Sequence, residues 1–248
     1  EDTAIYAAPM SHGAGIYNML HVRAGAGHVC PVSGGFDPEE LLDLSDHFGR
    51  VHVFAAPTMV QRLTRVAKSS GRRGAGLRSV IYAGGPMYLA DILEAVDWFG
   101  PKFIQIYGQG ECPMGITALS RQDVADRSHP DWQARLRSVG RAQSAVEVRI
   151  GDSEGRRVAP WEHGEIMVRG APVMPGYWQN EAATDKALQG GWLRTGDVGV
   201  LDADGFLTLV DRSKDLIISG GTNIYPREVE EALLLHPCVR EASVVGRA

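Results

Sequence analysis

Ser79-Val80-Ile81-Tyr82-Ala83-Gly84-Gly85-Pro86 and Phe103-Ile104-Gln105-Ile106-Tyr107-Gly108-Gln109-Gly110-Glu111 follow one pattern. Each is a short run rich in β-branched and aromatic residues that stops at glycine. Between them Leu89, Ile92, Leu93 and Val96 recur at helical spacing. Strand, helix and strand in that order predict a βαβ unit with parallel strands. Upstream, further strands are expected over residues 5–9, 28–32 and 51–56. Asp37-Pro38-Glu39-Glu40 supplies an N-cap, a proline at the first helical position and an acid at the third, ahead of Leu41, Leu42 and Leu44. Thr58 is expected to cap a second helix carrying Val60, Leu63 and Val66.

Downstream the pattern changes. Residues 145–150, 165–169, 198–201 and 206–210 read as strands separated by turns such as Gly151-Asp152-Ser153-Glu154-Gly155 and Asp202-Ala203-Asp204-Gly205. Antiparallel hairpins and a small β-barrel or sandwich follow. Past Asp211 come a charged junction, a Gly220-Gly221 turn and an amphipathic helix over 226–235. The expected organisation is an α/β subdomain over 1–138, a β-barrel-like subdomain over 139–211, and a hinge with the start of another domain over 212–248.

Composition narrows the function classes. Of 248 residues, 44% are hydrophobic and 22% charged, which is ordinary for a soluble globular protein. The net charge of −5 is spread along the chain, with no basic stripe for nucleic acid and no polybasic cluster for lipid. Cys30, Cys112 and Cys238 lie far apart without a CxxC pair, which argues against a zinc site or disulfide framework and for a reducing cytoplasm. No apolar run is long enough to span a bilayer. The sequence opens and closes inside apolar strand-like stretches, so it is expected to be a fragment.

Three clusters could carry chemistry. In parallel sheets ligands bind beyond the carboxyl ends of strands, where Gly84, Gly85, Pro86 and Gly108 lie. Tyr107 offers a ring face there and Glu111 a hard oxygen ligand for a cation. Read alone, these are also two tight strand-to-helix turns with a solvated acid. In Thr195-Gly196-Asp197 the carboxylate suits a ribose diol or a plain turn cap. Arg212-Ser213-Lys214-Asp215, followed by Gly220 and Gly221, reads as a hinge whose arginine reaches phosphate, or as a salt-bridged linker.

Taken in order, the clusters resemble the adenylate-forming superfamily of acyl-CoA synthetases, adenylation domains and luciferases. Tyr107-Gly108-Gln109-Gly110-Glu111 is similar to its Tyr-Gly-x-Thr-Glu motif, Thr195-Gly196-Asp197 to its Thr-Gly-Asp, and Arg212 through Pro226 to its hinge and glycine loop. The segments Ala8 to Gly15, Val139-Gly140-Arg141, His163 to Gly170 and Met174 to Trp178 extend the likeness along nearly the whole chain. The resemblance implies an α/β fold. It would be part of a large N-terminal domain, a parallel α/β subdomain plus a small antiparallel β-barrel, followed by the start of a small α+β C-terminal domain.

The resemblance also implies an acid–thiol ligase that uses ATP, Mg²⁺ and CoA to turn a small-molecule carboxylic acid, fatty or aryl, into a thioester through an acyl-adenylate. Transfer to a carrier-protein pantetheine is the alternative within the superfamily, and a non-catalytic nucleotide-binding module the alternative outside it. A homo-oligomer stays open. Tyr107 would stack on adenine with Gly84, Gly85, Pro86, Gly108, Gln109 and Gly110 around the nucleotide. Glu111 would bind Mg²⁺, Asp197 the ribose, and Arg212 ribose and phosphate. Lys214 would sit at the rotation hinge, and Gly220 and Gly221 along the thiol's path. His12 would lie near the reacting carboxylate, or be a helix-start histidine satisfied by backbone. Tyr107, Glu111, Asp197 and Arg212 are thus expected to converge on one AMP moiety.

Three departures accompany the likeness. Gly110 stands where the family carries threonine. The family's phosphate loop and C-terminal lysine have no counterpart in these residues, so the fragment alone is expected to be weakly active or inactive.

Overall fold

A computed structural model describes residues 1–212, 217–219, 222–236, 238–239 and 241–246. The chain divides into two compact units, Glu1–Tyr107 with Leu119–Leu136, and Gly108–Ala118 with the residues from Arg137 onward.

Unit 1 contains β1 (Thr3–Ile5), β2 (Gly27–Val29), β3 (Val51–Ala55), β4 (Leu77–Tyr82) and the start of β5 (Phe103–Gln109). They are hydrogen-bonded in the order β2-β1-β3-β4-β5, all parallel. Helices α1 (Gly13–Ile16) and α2 (Asn18–Arg23) follow β1, and α3 (Pro38–Phe48), α4 (Pro57–Ser70) and α5 (Leu89–Phe99) lie between successive strands from β2 to β5. Short α6 (Arg121–Ala125) and α7 (Trp132–Arg137) come later in the chain. The core is apolar: Leu41 and Leu42 of α3, Val60 and Leu63 of α4, and Ile92 and Ala95 of α5 are buried with Val51, Val53, Val80 and Phe103 of the strands.

The start of α3 is as its sequence dictates. The Asp37 carboxylate accepts from the Glu40 N–H at 2.9 Å, and Gly49 closes the helix in the left-handed region at φ 77°. The start of α4 differs from expectation. Pro57 takes the first helical position and holds Ala56 extended, so Ala56 is the N-cap and Thr58 is the second helical residue.

Unit 2 contains β6 (Cys112–Leu119), β7 (Arg141–Ala142), β8 (Val146–Gly151), β9 (Gly164–Gly170), β10 (Leu188–Gln189), β11 (Trp192–Leu201) and β12 (Leu207–Arg212), with helix α8 (Glu181–Ala187) before β10. β6 pairs antiparallel with β7. β11 pairs antiparallel with β9, β10 and β12, and β8 with β9. The two Asp-Gly turns share one construction. Asp152 Oδ1 accepts from the N–H groups of Glu154 and Arg156, and Asp202 Oδ1 from those of Asp204 and Phe206. A two-stranded sheet, β13 (Ile217–Ser219) with β14 (Thr222–Ile224), and helix α9 (Pro226–Leu234) complete the described chain. No helix among the described residues is long and apolar enough to cross a membrane.

The architecture is the expected α/β class, a parallel sheet and an antiparallel one. β6 was not anticipated: Tyr107-Gly108-Gln109-Gly110-Glu111 leads into another strand rather than a helix.

Candidate functional site

In unit 1 the glycine segment after β4 and Tyr107 of β5 lie at the carboxyl end of the parallel strands. The strands are parallel and pair Tyr82 with Gln105, and two residues further along each lie Gly84 and Tyr107. Gly84 has φ 84°, and a Cβ there would touch nothing, so glycine is required by conformation and not by crowding. Gly84, Gly85 and Pro86 are exposed, whereas the Tyr107 ring is 7% exposed. His12 is exposed and is the N-cap of α1. Its N–H donates to the Pro9 carbonyl at 3.1 Å, while its imidazole makes no capping hydrogen bond. Phe54 borders a cavity of about 10 Å³ with Tyr6, Tyr17, His21 and His52, which is room for one water.

In unit 2 the Thr195-Gly196-Asp197 segment is a bulge. The pairing of β11 with β9 shifts between Arg194 and Val198, and Gly196 supplies the left-handed residue at φ 72°. Glu165 of β9 fills the gap: Oε1 accepts from the Gly196 N–H at 3.0 Å and Oε2 from Arg194 Nε at 2.6 Å. The Thr195 hydroxyl donates to the Ile166 carbonyl at 2.7 Å and accepts from the Asp197 N–H at 3.1 Å. Every polar group of the bulge backbone named here is thus held, and Asp197, 9% exposed, is presented from a fixed support. On its other side Asp197 is the cross-strand partner of Arg212.

The segment after Tyr107 is tied to this bulge. Gln109 Nε2 donates to the Thr195 carbonyl at 3.2 Å, across 86 positions of sequence. A Cβ on Gly108 would lie 2.4 Å from the Met114 nitrogen, so that glycine permits close passage of the chain's own backbone. Met114 itself has φ 55° and its carbonyl accepts from Gln143 Nε2 at 2.6 Å. At Gly110 a Cβ would meet nothing within 4 Å, so there is space for the threonine side chain that the resemblance leads one to expect. Glu111 turns the chain into β6. Its carbonyl accepts from the Met174 N–H at 2.8 Å and its Oε1 from the Tyr177 hydroxyl at 2.6 Å, a bond that raises the phenol's pKa.

Two of the three sequence clusters are therefore joined by the Gln109–Thr195 bond, and the second reaches Arg212 by strand pairing. The Arg212 side chain, Lys214, Gly220 and Gly221 lie outside the described residues. Three contributors were missed by sequence reasoning: Glu165 as the lock of the bulge, Tyr177 as a donor to Glu111, and Gln109 as a tie between segments. Glu165 and Tyr177 stood in segments that extended the likeness without an assigned role, and nothing local marks which distant group each meets.

As a cation site Glu111 is a lone hard carboxylate. Among the described residues no group of three or more His, Cys, Asp or Glu could hold a metal. A single carboxylate would serve a Mg²⁺ ion only together with oxygens brought by a phosphate ligand and by water.

Residues 1–178 match the AMP-binding enzyme family. The medium/long-chain-fatty-acid–CoA ligase FadD8 of Mycobacterium tuberculosis is 36% identical over 239 residues, covering 96% of this chain and 40% of the relative. The solved amide bond synthetase McbA of Marinactinospora thermotolerans superposes with a TM-score of 0.88 at 35% identity, over 99% of this chain and 48% of that one. O-succinylbenzoate coenzyme A synthetase of Bacillus subtilis, solved with ATP and magnesium ion, gives 0.85 at 35% identity, over 99% and 49%. The chain thus spans between two-fifths and half the length of these relatives. With the family match covering well over half of its residues, this chain belongs to the AMP-binding, adenylate-forming enzymes.

Proposed function

We propose that the protein to which these residues belong activates a carboxylic acid with ATP and passes the acyl group to CoA. A carboxylate oxygen attacks the α-phosphorus of ATP, and the bond to pyrophosphate breaks. The thiol sulfur then attacks the acyl carbon, the bond to AMP breaks, and the thiol proton goes to solvent. Charge grows on phosphate oxygens in the first step, so cations and fixed dipoles supply most of the acceleration.

Within this reading, Gly84, Gly85 and Pro86 form an open backbone edge for the adenine, and burial pre-orders Tyr107 as the ring beside it. Gln109 holds the segment in place, and Gly108 and Gly110 keep it free of side chains. Asp197 accepts from the ribose hydroxyls, Arg212 supports ribose and phosphate, and Glu111 takes Mg²⁺. Lys214 marks the hinge, Gly220 and Gly221 the thiol path, and His12 faces the acid. The acid is fatty or aryl, the compartment a reducing cytoplasm. The observation that carries the reading is the Gln109–Thr195 bond, which fastens the Gly108 to Glu111 segment to the bulge that presents Asp197. A CoA acceptor is supported by two of the named relatives being coenzyme A ligases. McbA, an amide bond synthetase, makes the acceptor the point to test.

The test is pyrophosphate and AMP release by the full-length protein against a panel of fatty and aryl acids, with CoA, a pantetheinylated carrier protein or neither. Acid-dependent pyrophosphate release and CoA-dependent AMP release are expected. Release of AMP only with the carrier would move the acceptor. An absence of both products and of any ATP-induced rise in Tm would leave a non-catalytic module.

A further inference from the structure

Glu111 is gripped twice by one distant segment. The Met174 N–H holds its carbonyl and the Tyr177 phenol holds Oε1, 66 positions away in sequence. No other described residue donates to this carboxylate, so Oε2 is left for a ligand. The gripping segment is itself anchored. The Tyr177 N–H donates to Thr184 Oγ1 at 2.9 Å, and the Thr184 hydroxyl donates to the Asn180 carbonyl at 2.8 Å. Asn180 caps α8 by accepting from the Ala183 N–H at 3.0 Å. Gly176 at φ 153° lies against Thr184, where a Cβ would come within 2.9 Å of the threonine Cγ2. A helix N-terminus therefore fixes the backbone of Tyr177, and Tyr177 fixes the acid.

Such a bond adds little to stability. Tyr177 is 39% exposed, and a hydrogen bond at that exposure competes with water. It does have a consequence for binding. A glutamate side chain has three rotatable bonds, and holding one oxygen before a ligand arrives removes the cost of ordering from the binding step. Hydrogen-bond partners behind a metal ligand commonly change metal affinity 10–100-fold.

We propose that Tyr177 is a positioning residue that orients the Glu111 carboxylate for the cation accompanying ATP. This rests on the reading of Glu111 as the cation ligand. The readout is calorimetric binding of ATP to the full-length protein, in saturating Mg²⁺ and in EDTA. The ratio of the two Kd values reports the cation's contribution. E111Q is expected to abolish that ratio. Y177F is expected to reduce it about tenfold, with the EDTA affinity and the ligand-free Tm unchanged, and Y177F added to E111Q to do nothing further. A ratio in Y177F equal to or above wild type would overturn the proposal while leaving Glu111 in its role. Loss of ATP affinity in EDTA by the same factor would make Tyr177 merely structural. A full ratio in E111Q would instead remove Glu111 as the ligand, and the inference with it.

Discussion

The parallel unit and the antiparallel unit place their polar side chains differently. In unit 1 they work at the surface. Arg72 pairs with Asp43 and Asp46, Lys68 with Glu94, and Arg50 with Asp2, while Leu41, Leu42, Val60 and Ile92 fill the interior. Unit 2 has surface ion pairs as well, Arg156 with Asp152 and Arg169 with Glu147, but several of its polar side chains work on the backbone. Glu165 and Thr195 hold a bulge, Gln143 holds Met114, and Thr117 donates to the Val139 carbonyl at 2.6 Å. The difference teaches where each unit is vulnerable. Unit 1 depends on close packing and tolerates change in its charges. Unit 2 depends on directed hydrogen bonds between irregular strands, the kind of support that aims a side chain.

The comparison is broken most severely by opening the core of unit 1. Leu42 is fully buried, and L42A is expected to lower stability by about 2–5 kcal/mol. A urea titration followed by circular dichroism reads this, and ATP affinity below the transition should hold. T195V sharpens the other half. It keeps the side chain's shape but removes the donor to Ile166 and the acceptor for the Asp197 N–H. A cost of about 1–2 kcal/mol in stability is expected, with ATP affinity falling about tenfold if Asp197 is re-aimed by a similar energy. An unchanged ATP affinity would show that the bulge is only architectural.

The smallest effect tests an exception in unit 1. Asp91 is half-buried, and burial pushes its carboxyl pKa up although Gln61 Nε2 donates to it at 2.5 Å. A folded pKa above the unfolded value of about 3.9 means the folded state binds the proton more tightly. Stability is then lost as pH rises through that window and recovered as it falls. D91N has no such loss, so its Tm relative to wild type should rise between pH 4 and pH 7, by the equivalent of about 0.5 kcal/mol or less. A difference independent of pH would mean that Asp91 is as well solvated as the surface acids.

Legibility followed the same division. The α3 cap, helix and terminating Gly49 could be read from a dozen residues, because Asp37, the leucine spacing and the glycine act within one or two turns. The strand cores at 51–55 and 103–107 were legible for the same reason. The cap of α4 was misplaced by two residues because proline's restraint on Ala56 outweighs the side-chain preference of Thr58. β6 was overlooked because Pro113 and Met114 interrupt its apolar alternation, and Met114 adopts φ 55° only where Gly108 and Gln143 hold it.

The sequence by itself determined the α/β class, the order of the motifs and the chemical types gathered in them, since periodicity, caps and turn residues are local and each acts through neighbours in the chain. Only the tertiary structure decided that Gln109 reaches Thr195, that Glu165 fills the bulge beneath Asp197, and that Tyr177 holds Glu111. Those bonds join positions 31 to 86 residues apart, and their existence depends on strand pairing and bulge geometry that no short window of sequence encodes.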